Sequence, residues 1–122
     1  MKYIHTDAAP AAVGPYSQGI LTGKTIYVSG QLPVMDGAMQ TSVDKATAAS
    51  LANVLSIIQT EGANKENIVK CVVFLTDMND FKVMNEAYAL FFGEHKPARS
   101  CVEVMSLPKD AVLEIEAVAV LD

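Results

Sequence analysis

The chain has no tryptophan, only two histidines and only two cysteines among its 122 residues. His5 and His95 lie far apart in the sequence, and no spacing of cysteines or carboxylates completes a metal-ligand set around either. A phosphate-binding loop and the glycine fingerprint of dinucleotide-binding proteins are also missing. The sequence therefore predicts neither a metal site nor a bound cofactor.

Positive charge is scarce as well. The nine lysines and arginines are scattered singly, and the net charge is −5. A surface that binds nucleic acid normally carries a basic stripe, so we expect no nucleic-acid partner. No apolar run reaches the length of a membrane span, and residues 1–7 lack the apolar core of a signal peptide. These features predict a cytoplasmic protein with no membrane partner.

Hydrophobic periodicity and turn residues predict a single α+β domain over residues 1–122. The predicted strands cover residues 2–5, 19–22, 25–30, 68–76, 100–105 and 112–121, and the predicted helices cover residues 42–61 and 77–92. Gly23-Lys24 marks a hairpin between the second and third strands, and Asp77 or Asn79 is the expected cap of the second helix. Pro33 and Asp36-Gly37 indicate a loop. This order favours a mixed sheet with two helices on one face.

The last predicted strand indicates a second covered surface. Its odd-numbered positions from Leu113 to Leu121 are apolar and share the face that should meet the helices. The opposite face carries Glu114 and Glu116 together with Val118 and Val120. Isolated surface valines are common, but 51% of the chain is hydrophobic. We therefore favour a subunit interface over this face.

Arg99 is the first candidate for chemistry. Pro97 disfavours helix in the residue before it, so an extended segment begins there and holds Arg99 at the mouth of a strand. A guanidinium is planar and permanently charged, and it binds carboxylates through two parallel hydrogen bonds. We therefore predict that Arg99 binds the carboxylate of a small substrate.

Strand carboxylates are the candidates for proton transfer. Glu103, Glu114 and Glu116 are flanked by apolar residues, and burial would raise their pKa toward a useful range. For Glu103 and Glu116 we prefer the simpler interpretation of solvated strand residues. Cys101 is an alternative nucleophile because it lies two residues from Arg99, but no histidine is placed to act as its base.

The two remaining side chains of interest have ordinary interpretations. Cys71 lies in an apolar run and reads as a core residue. Tyr16 offers a phenol within a glycine-rich loop, although most tyrosines pack their ring and expose only a polar tip.

Strand geometry constrains how these groups meet. If residues 99–106 and 112–121 formed a simple hairpin about Lys109, Arg99 would face position 119, roughly 17 Å along the strand from Glu114. Either these strands are not hairpin partners, or the pocket is assembled from two chains.

Four segments together resemble the Rid family, in its RidA branch, over essentially the whole chain. These segments are Gly14–Gly19, Val28–Pro33, Pro97–Val104 and the ending from Leu107 to Ala117. The resemblance implies a chorismate-mutase-like α+β fold and a homotrimer with three pockets between neighbouring subunits. It also implies hydrolysis of 2-imino acids that arise from 2-aminoacrylate and 2-aminocrotonate, the products of pyridoxal-phosphate dehydratases.

The resemblance also assigns roles to individual positions. Arg99 matches the carboxylate-binding arginine, Glu114 the glutamate that orients the hydrolytic water, and Tyr16 a pocket aromatic near the reacting atoms. Gly30 and Cys101 match positions whose backbone N–H groups face the ligand. Two further positions, Ser29 and Asn85, match supporting wall residues.

Two other functions stay open at this point. A regulatory trimer that senses 2-keto or imino acids without catalysis would use the same arginine. A function as a ribonuclease or translation inhibitor is also described for this family, but the net negative charge of the chain weighs against it.

Overall fold

The computed structural model describes all residues from 1 to 122 and contains eight strands and two helices. The strands are β1 (Lys2–Ile4), β2 (Gly19–Thr22), β3 (Thr25–Gln31), β4 (Val34–Met35), β5 (Ala38–Met39), β6 (Ile68–Leu75), β7 (Ala98–Glu103) and β8 (Leu113–Val120), and the helices are α1 (Val43–Gln59) and α2 (Phe81–Phe92). The mixed α+β class predicted from the sequence is confirmed.

Six of the strands form one sheet in the order β1-β2-β3-β8-β6-β7. The last strand in the chain, β8, therefore lies in the middle, with β3 and β6 as antiparallel neighbours. Strand β7 pairs in parallel with β6 and forms one edge of the sheet. Because β6 separates β7 from β8, these two strands are not hairpin partners.

The core lies between the helices and one face of the sheet. On β8 the predicted alternation is confirmed, since Leu113, Ile115, Ala117 and Ala119 are buried while the residues between them are only half-buried or exposed. Helix α1 contributes a continuous buried stripe that includes Val54, Ile57 and Ile58. The two helices pack on each other, and α1 packs on β3 and β8.

The second face of the sheet is not covered by any element of the chain. On β6 the buried residues alternate with half-buried ones such as Val72 and Phe74. Tyr27 on β3 and Val120 on β8 are exposed. The nearly continuous apolar run of β6 thus reflects two apolar faces, of which the helices cover only one.

Local signals set the ends of the helices. Ser42 occupies the predicted N-cap of α1, and Gly62 takes a positive φ of 81° shortly after the helix ends. At the second helix the sequence prediction is shifted, because Asp77 caps a separate 3-10 turn, Met78–Asp80, by accepting from the backbone N–H of Asn79. The α-helix proper begins at Phe81.

Two other details differ from the sequence prediction. The loop around Asp36-Gly37 contains the small hairpin β4-β5, whose turn residues both have positive φ, as an Asp-Gly turn between strands favours. Strand β7 begins at Ala98 rather than Ser100, so Arg99 lies within the strand. Neither helix is long and apolar enough to cross a membrane.

Truncation of the fully buried Ile115 tests the assignment of the core face. We expect Ile115→Ala to lower the free energy of unfolding by about 2–5 kcal/mol, because a cavity is left beneath the helices. Leu90, which is 86% exposed on α2, is the control, and Leu90→Ala should change this energy by less than about 0.5 kcal/mol. Urea unfolding at one fixed protein concentration measures both. Equal losses would contradict the assignment.

Candidate functional site

Arg99 lies on the helix side of the sheet, at its β7 edge. Its register partner on β6 is Cys71, which is fully buried and whose own partner on β8 is Ala117. Registered neighbours in a sheet point to the same face, so all three side chains are directed toward the helices. The guanidinium carbon of Arg99 lies 4.8 Å from the ring centre of Tyr88 and 5.6 Å from that of Phe81, both on α2.

Two other predicted site residues share this region. Asn85 lies between Phe81 and Tyr88 on the same stripe of α2, four and three residues away from them, and it is half-buried. Cys101 is two residues from Arg99 on β7 and therefore points to the same face. Because β7 is an edge strand, part of its backbone N–H groups are free for a ligand or another chain.

The thiol of Cys101 is a poor nucleophile in this setting. Burial raises the pKa of Cys101, and the nearby Arg99 guanidinium offsets this effect only in part. With a raised pKa, the half-buried thiol stays protonated near neutral pH. Only the thiolate is strongly nucleophilic. These surroundings disfavour Cys101 as a nucleophile.

Glu114 lies on the opposite face of the sheet from Arg99. It is three residues from Ala117 along β8, and its register partner on β6 is Phe74, on the face that the helices leave uncovered. Gly30 accommodates it, because a Cβ atom at that position would overlap the Glu114 carboxylate. The register between β3 and β8 also shifts next to Gly30. This shift changes the direction of the β3 backbone at this point.

The electrostatics of Glu114 suit proton transfer. Burial raises the pKa of Glu114, and the neighbouring Glu116 carboxylate raises it further. The two side chains share one face of β8 because they are two residues apart. A carboxylate with a raised pKa accepts a proton more readily at neutral pH than an ordinary surface carboxylate does. By contrast, Glu103 accepts from the backbone N–H of Met78 at 2.6 Å, a structural role.

Tyr16 lies in a loop that is fixed by polar contacts. Ser29 donates from its hydroxyl to the carbonyl of Ser17 at 2.6 Å, and its backbone N–H donates to the carbonyl of Gln18. The buried side chain of Gln18 in turn binds the backbone at Thr6. Tyr16 directly precedes these anchored residues, and 52% of it is exposed.

A cavity of about 530 Å³ is lined by several of the predicted site residues. Tyr16, Ser29, Gly30 and Glu114 all line it. Lys109 also lines it, and its backbone has a positive φ of 58°, an uncommon conformation for a residue other than glycine. Lys109 was not predicted as a wall residue, because its only signal in the sequence is its place between Pro108 and Asp110 in the motif before β8.

The predicted site residues thus fall into two groups that one chain does not bring together. One group is Tyr16, Ser29, Gly30 and Glu114 at the cavity, and the other is Arg99, Cys101 and Asn85 between β7 and α2. Strand geometry separates the Cα atoms of Arg99 and Glu114 by roughly 14 Å, and their side chains leave opposite faces. Of the two explanations predicted from the sequence, the first is confirmed, since β7 and β8 are not hairpin partners. The two side chains nevertheless remain apart within one chain, so an assembly from two chains stays a prediction.

The comparisons with known proteins cover nearly the whole chain. A family model described as Endoribonuclease L-PSP matches residues 6–121. A 2-iminobutanoate/2-iminopropanoate deaminase of Escherichia coli strain K12 is 49% identical over 124 residues, which is 98% of this chain and 97% of that protein. The protein of the same name from Salmonella typhimurium is 48% identical, with the same coverage.

A solved structure agrees with these relatives. The crystal structure of Escherichia coli TdcF with bound serine superimposes with a TM-score of 0.96 at 46% sequence identity, covering 100% of both chains. Together with the family model and the deaminases, this match confirms the resemblance drawn from the four sequence segments. The chain belongs to the Rid family.

Proposed function

We propose that this protein hydrolyses 2-imino acids to 2-keto acids and ammonia. Relatives nearly half identical over almost the whole chain are named 2-iminobutanoate/2-iminopropanoate deaminases, in agreement with the function that the sequence motifs predicted. The structural observation that supports catalysis most strongly is the half-buried Glu114 carboxylate, packed against Gly30 with a raised pKa.

The chemistry requires only modest assistance from the protein. An imine conjugated to a carboxylate is already electrophilic, so fixing its carbon beside a held water removes much of the entropic barrier. Arg99 binds the substrate carboxylate through its guanidinium. Glu114 accepts a proton from the attacking water and passes it to the imine nitrogen, which gives a carbinolamine. Glu114 then accepts the hydroxyl proton of this intermediate and passes it to the amino group, so that ammonia leaves as the carbonyl forms.

The remaining residues line the pocket and orient the ligand. We assign Tyr16 to a position near the reacting carbon and nitrogen, since its exposed ring borders the cavity that holds Glu114. Gly30 and Cys101 present backbone N–H groups to the ligand. Ser29 and Asn85 form its walls, one on each side of the site.

We also propose that each complete pocket is shared by two chains of a homotrimer, in a chorismate-mutase-like arrangement. Arg99 and Glu114 leave opposite faces of one sheet, so a substrate as small as an imino acid contacts both only if they come from different copies. The uncovered sheet face, with Tyr27 and Val120 exposed, provides apolar surface for such a contact. Three equivalent pockets would then lie between neighbouring subunits.

The regulatory alternative explains Glu114 less well. A sensor of keto or imino acids binds an anion, and a half-buried carboxylate beside that anion would weaken binding by repulsion. A hydrolase needs a proton acceptor at this position. The word endoribonuclease in the family description is a separate matter, and a net charge of −5 disfavours RNA as a partner of this chain. We propose the cytoplasm as the compartment, where pyridoxal-phosphate dehydratases would supply the imines.

Trapping of the imine tests the proposed reaction. An amino-acid dehydratase generates 2-aminoacrylate while semicarbazide captures the imine, and wild-type protein should reduce the amount of captured product. Arg99→Ala should lower kcat/KM by about ten- to a hundredfold, because a charged hydrogen-bond pair is lost. Glu114→Gln should lower kcat by about 10²- to 10⁴-fold, because the proton acceptor is lost.

Stability measurements serve as the control for this assay. Glu114→Gln removes a half-buried charge, so its thermal unfolding temperature should equal or exceed that of the wild type. Undiminished capture of the imine in the presence of folded wild-type protein would reject the deaminase function.

The carboxylate pair on β8 predicts a shift in the pH profile. Glu114 must be ionised to accept a proton, so kcat/KM should fall as the pH drops through its pKa. Because the Glu116 carboxylate raises that pKa, Glu116→Gln should lower it and move the acid limb of the profile to lower pH. Glu66→Gln is the control, since it changes the net charge equally at an exposed site. An acid limb that moves equally in both variants would contradict the local effect.

A further inference from the structure

Arg99 has no anionic partner within the chain. The ion pairs of the structure join Lys2 to Glu61 and His5 to Asp7, and neither involves this arginine. No carbonyl, hydroxyl or carboxylate oxygen accepts a hydrogen bond from its guanidinium. A long charged side chain loses considerable rotamer freedom when it is fixed, so some other interaction must hold the guanidinium in place.

Two aromatic rings of α2 supply that interaction. The guanidinium carbon lies 4.8 Å from the ring centre of Tyr88 and 5.6 Å from that of Phe81, within the range in which a cation is attracted to a ring face. The two residues are seven apart, so both rings lie on one stripe of the helix. Rings attract the cation without accepting its N–H groups.

The Tyr88 ring is itself firmly placed. Only 8% of the residue is exposed, and its ring centre lies 4.8 Å from that of Phe92. Its hydroxyl is buried near the Cys71 thiol, yet it has no partner with hydrogen-bond geometry, and burial raises the pKa of Tyr88. A buried hydroxyl without a partner does not stabilise the fold. Core packing therefore accounts for an aromatic ring at position 88 but not for the Tyr88 hydroxyl.

We propose that Tyr88 and Phe81 are positioning residues for substrate binding, because their rings hold the Arg99 guanidinium and leave its hydrogen-bond donors free for a carboxylate. This inference rests on the proposed function, in which Arg99 binds the substrate. An acidic partner in place of the rings would compete with the substrate for the same donors. We call the two rings of Phe81 and Tyr88 the clamp. The clamp holds the arginine through its ring faces and does not compete with the substrate carboxylate.

Binding of 2-ketobutyrate, a stable analogue with the same carboxylate, tests the clamp directly. NMR titration of the assembled protein gives the Kd, and steady-state imine hydrolysis gives KM and kcat. Phe81→Leu and Tyr88→Leu should each raise Kd and KM by about three- to tenfold with kcat nearly unchanged, since the arginine binds the carboxylate equally in the ground and transition states.

Matched variants separate this role from packing. Phe91→Leu changes a half-buried aromatic residue on the same helix that does not contact Arg99, and its Kd should match the wild type. Tyr88→Phe keeps the ring and should also retain wild-type binding. In an Arg99→Ala background, Phe81→Leu should cause no further loss, because its effect passes through the arginine. Phe81 is only half-buried, so its variant remains informative if Tyr88→Leu does not fold.

The outcomes distinguish the clamp from the proposed function. Wild-type Kd values for Phe81→Leu and Tyr88→Leu would overturn the clamp, as would an undiminished effect of Phe81→Leu in the Arg99→Ala background. Normal imine turnover in those variants would then leave the proposed function standing. Conversely, weaker binding by the two ring variants in a protein that hydrolyses no imine would support the clamp and reject the deaminase.

Discussion

The pleat of the central sheet is the constraint on which this site depends. Successive side chains of a strand point to opposite faces, and the two helices cover only one of those faces. Arg99 points to the helix side and Glu114 to the uncovered side, so the backbone itself keeps them apart within one chain. This separation is the basis of our proposal that an imino acid contacts both side chains where the uncovered face of one copy meets the β7 edge of another.

Glu114 and Arg99 lie in different surroundings, which suit the two side chains to different roles. Glu114 is half-buried beside Glu116, which raises its pKa and makes the carboxylate a better proton acceptor at neutral pH. Arg99 is held by aromatic rings and keeps its donors unoccupied. The surroundings of Glu114 cost stability, because burial and the neighbouring Glu116 carboxylate both disfavour its charged form. Such local conflicts are expected where binding and catalysis take place.

Local sequence signals predicted the elements well, because each depended on neighbouring residues. The alternation along β8, the turn at Gly23-Lys24 and the end of α1 before Gly62 all follow from side-chain period or backbone freedom. The β4-β5 hairpin was missed although Asp36-Gly37 is a strong turn signal, because its strands have only two residues each.

Contacts between distant segments could not be predicted in the same way. The insertion of β8 between β3 and β6 joins segments far apart in the chain, and no local pattern encodes that pairing. The sequence predicted Arg99 and Glu114 as site residues, but Phe81 and Tyr88 have the spacing of ordinary packing residues on an amphipathic helix. Only the packed structure shows which rings face the arginine.

Complementation between two impaired variants tests the shared site most directly. Equal amounts of Arg99→Ala and Glu114→Gln chains are unfolded in urea, refolded together and assayed for imine hydrolysis, with refolded wild type as the reference. If each pocket takes Arg99 from one chain and Glu114 from its neighbour, about one quarter of the pockets in randomly assembled trimers contain both intact residues, and about that fraction of activity should return. Activity no higher than that of the two variants refolded separately would contradict a site built from two chains.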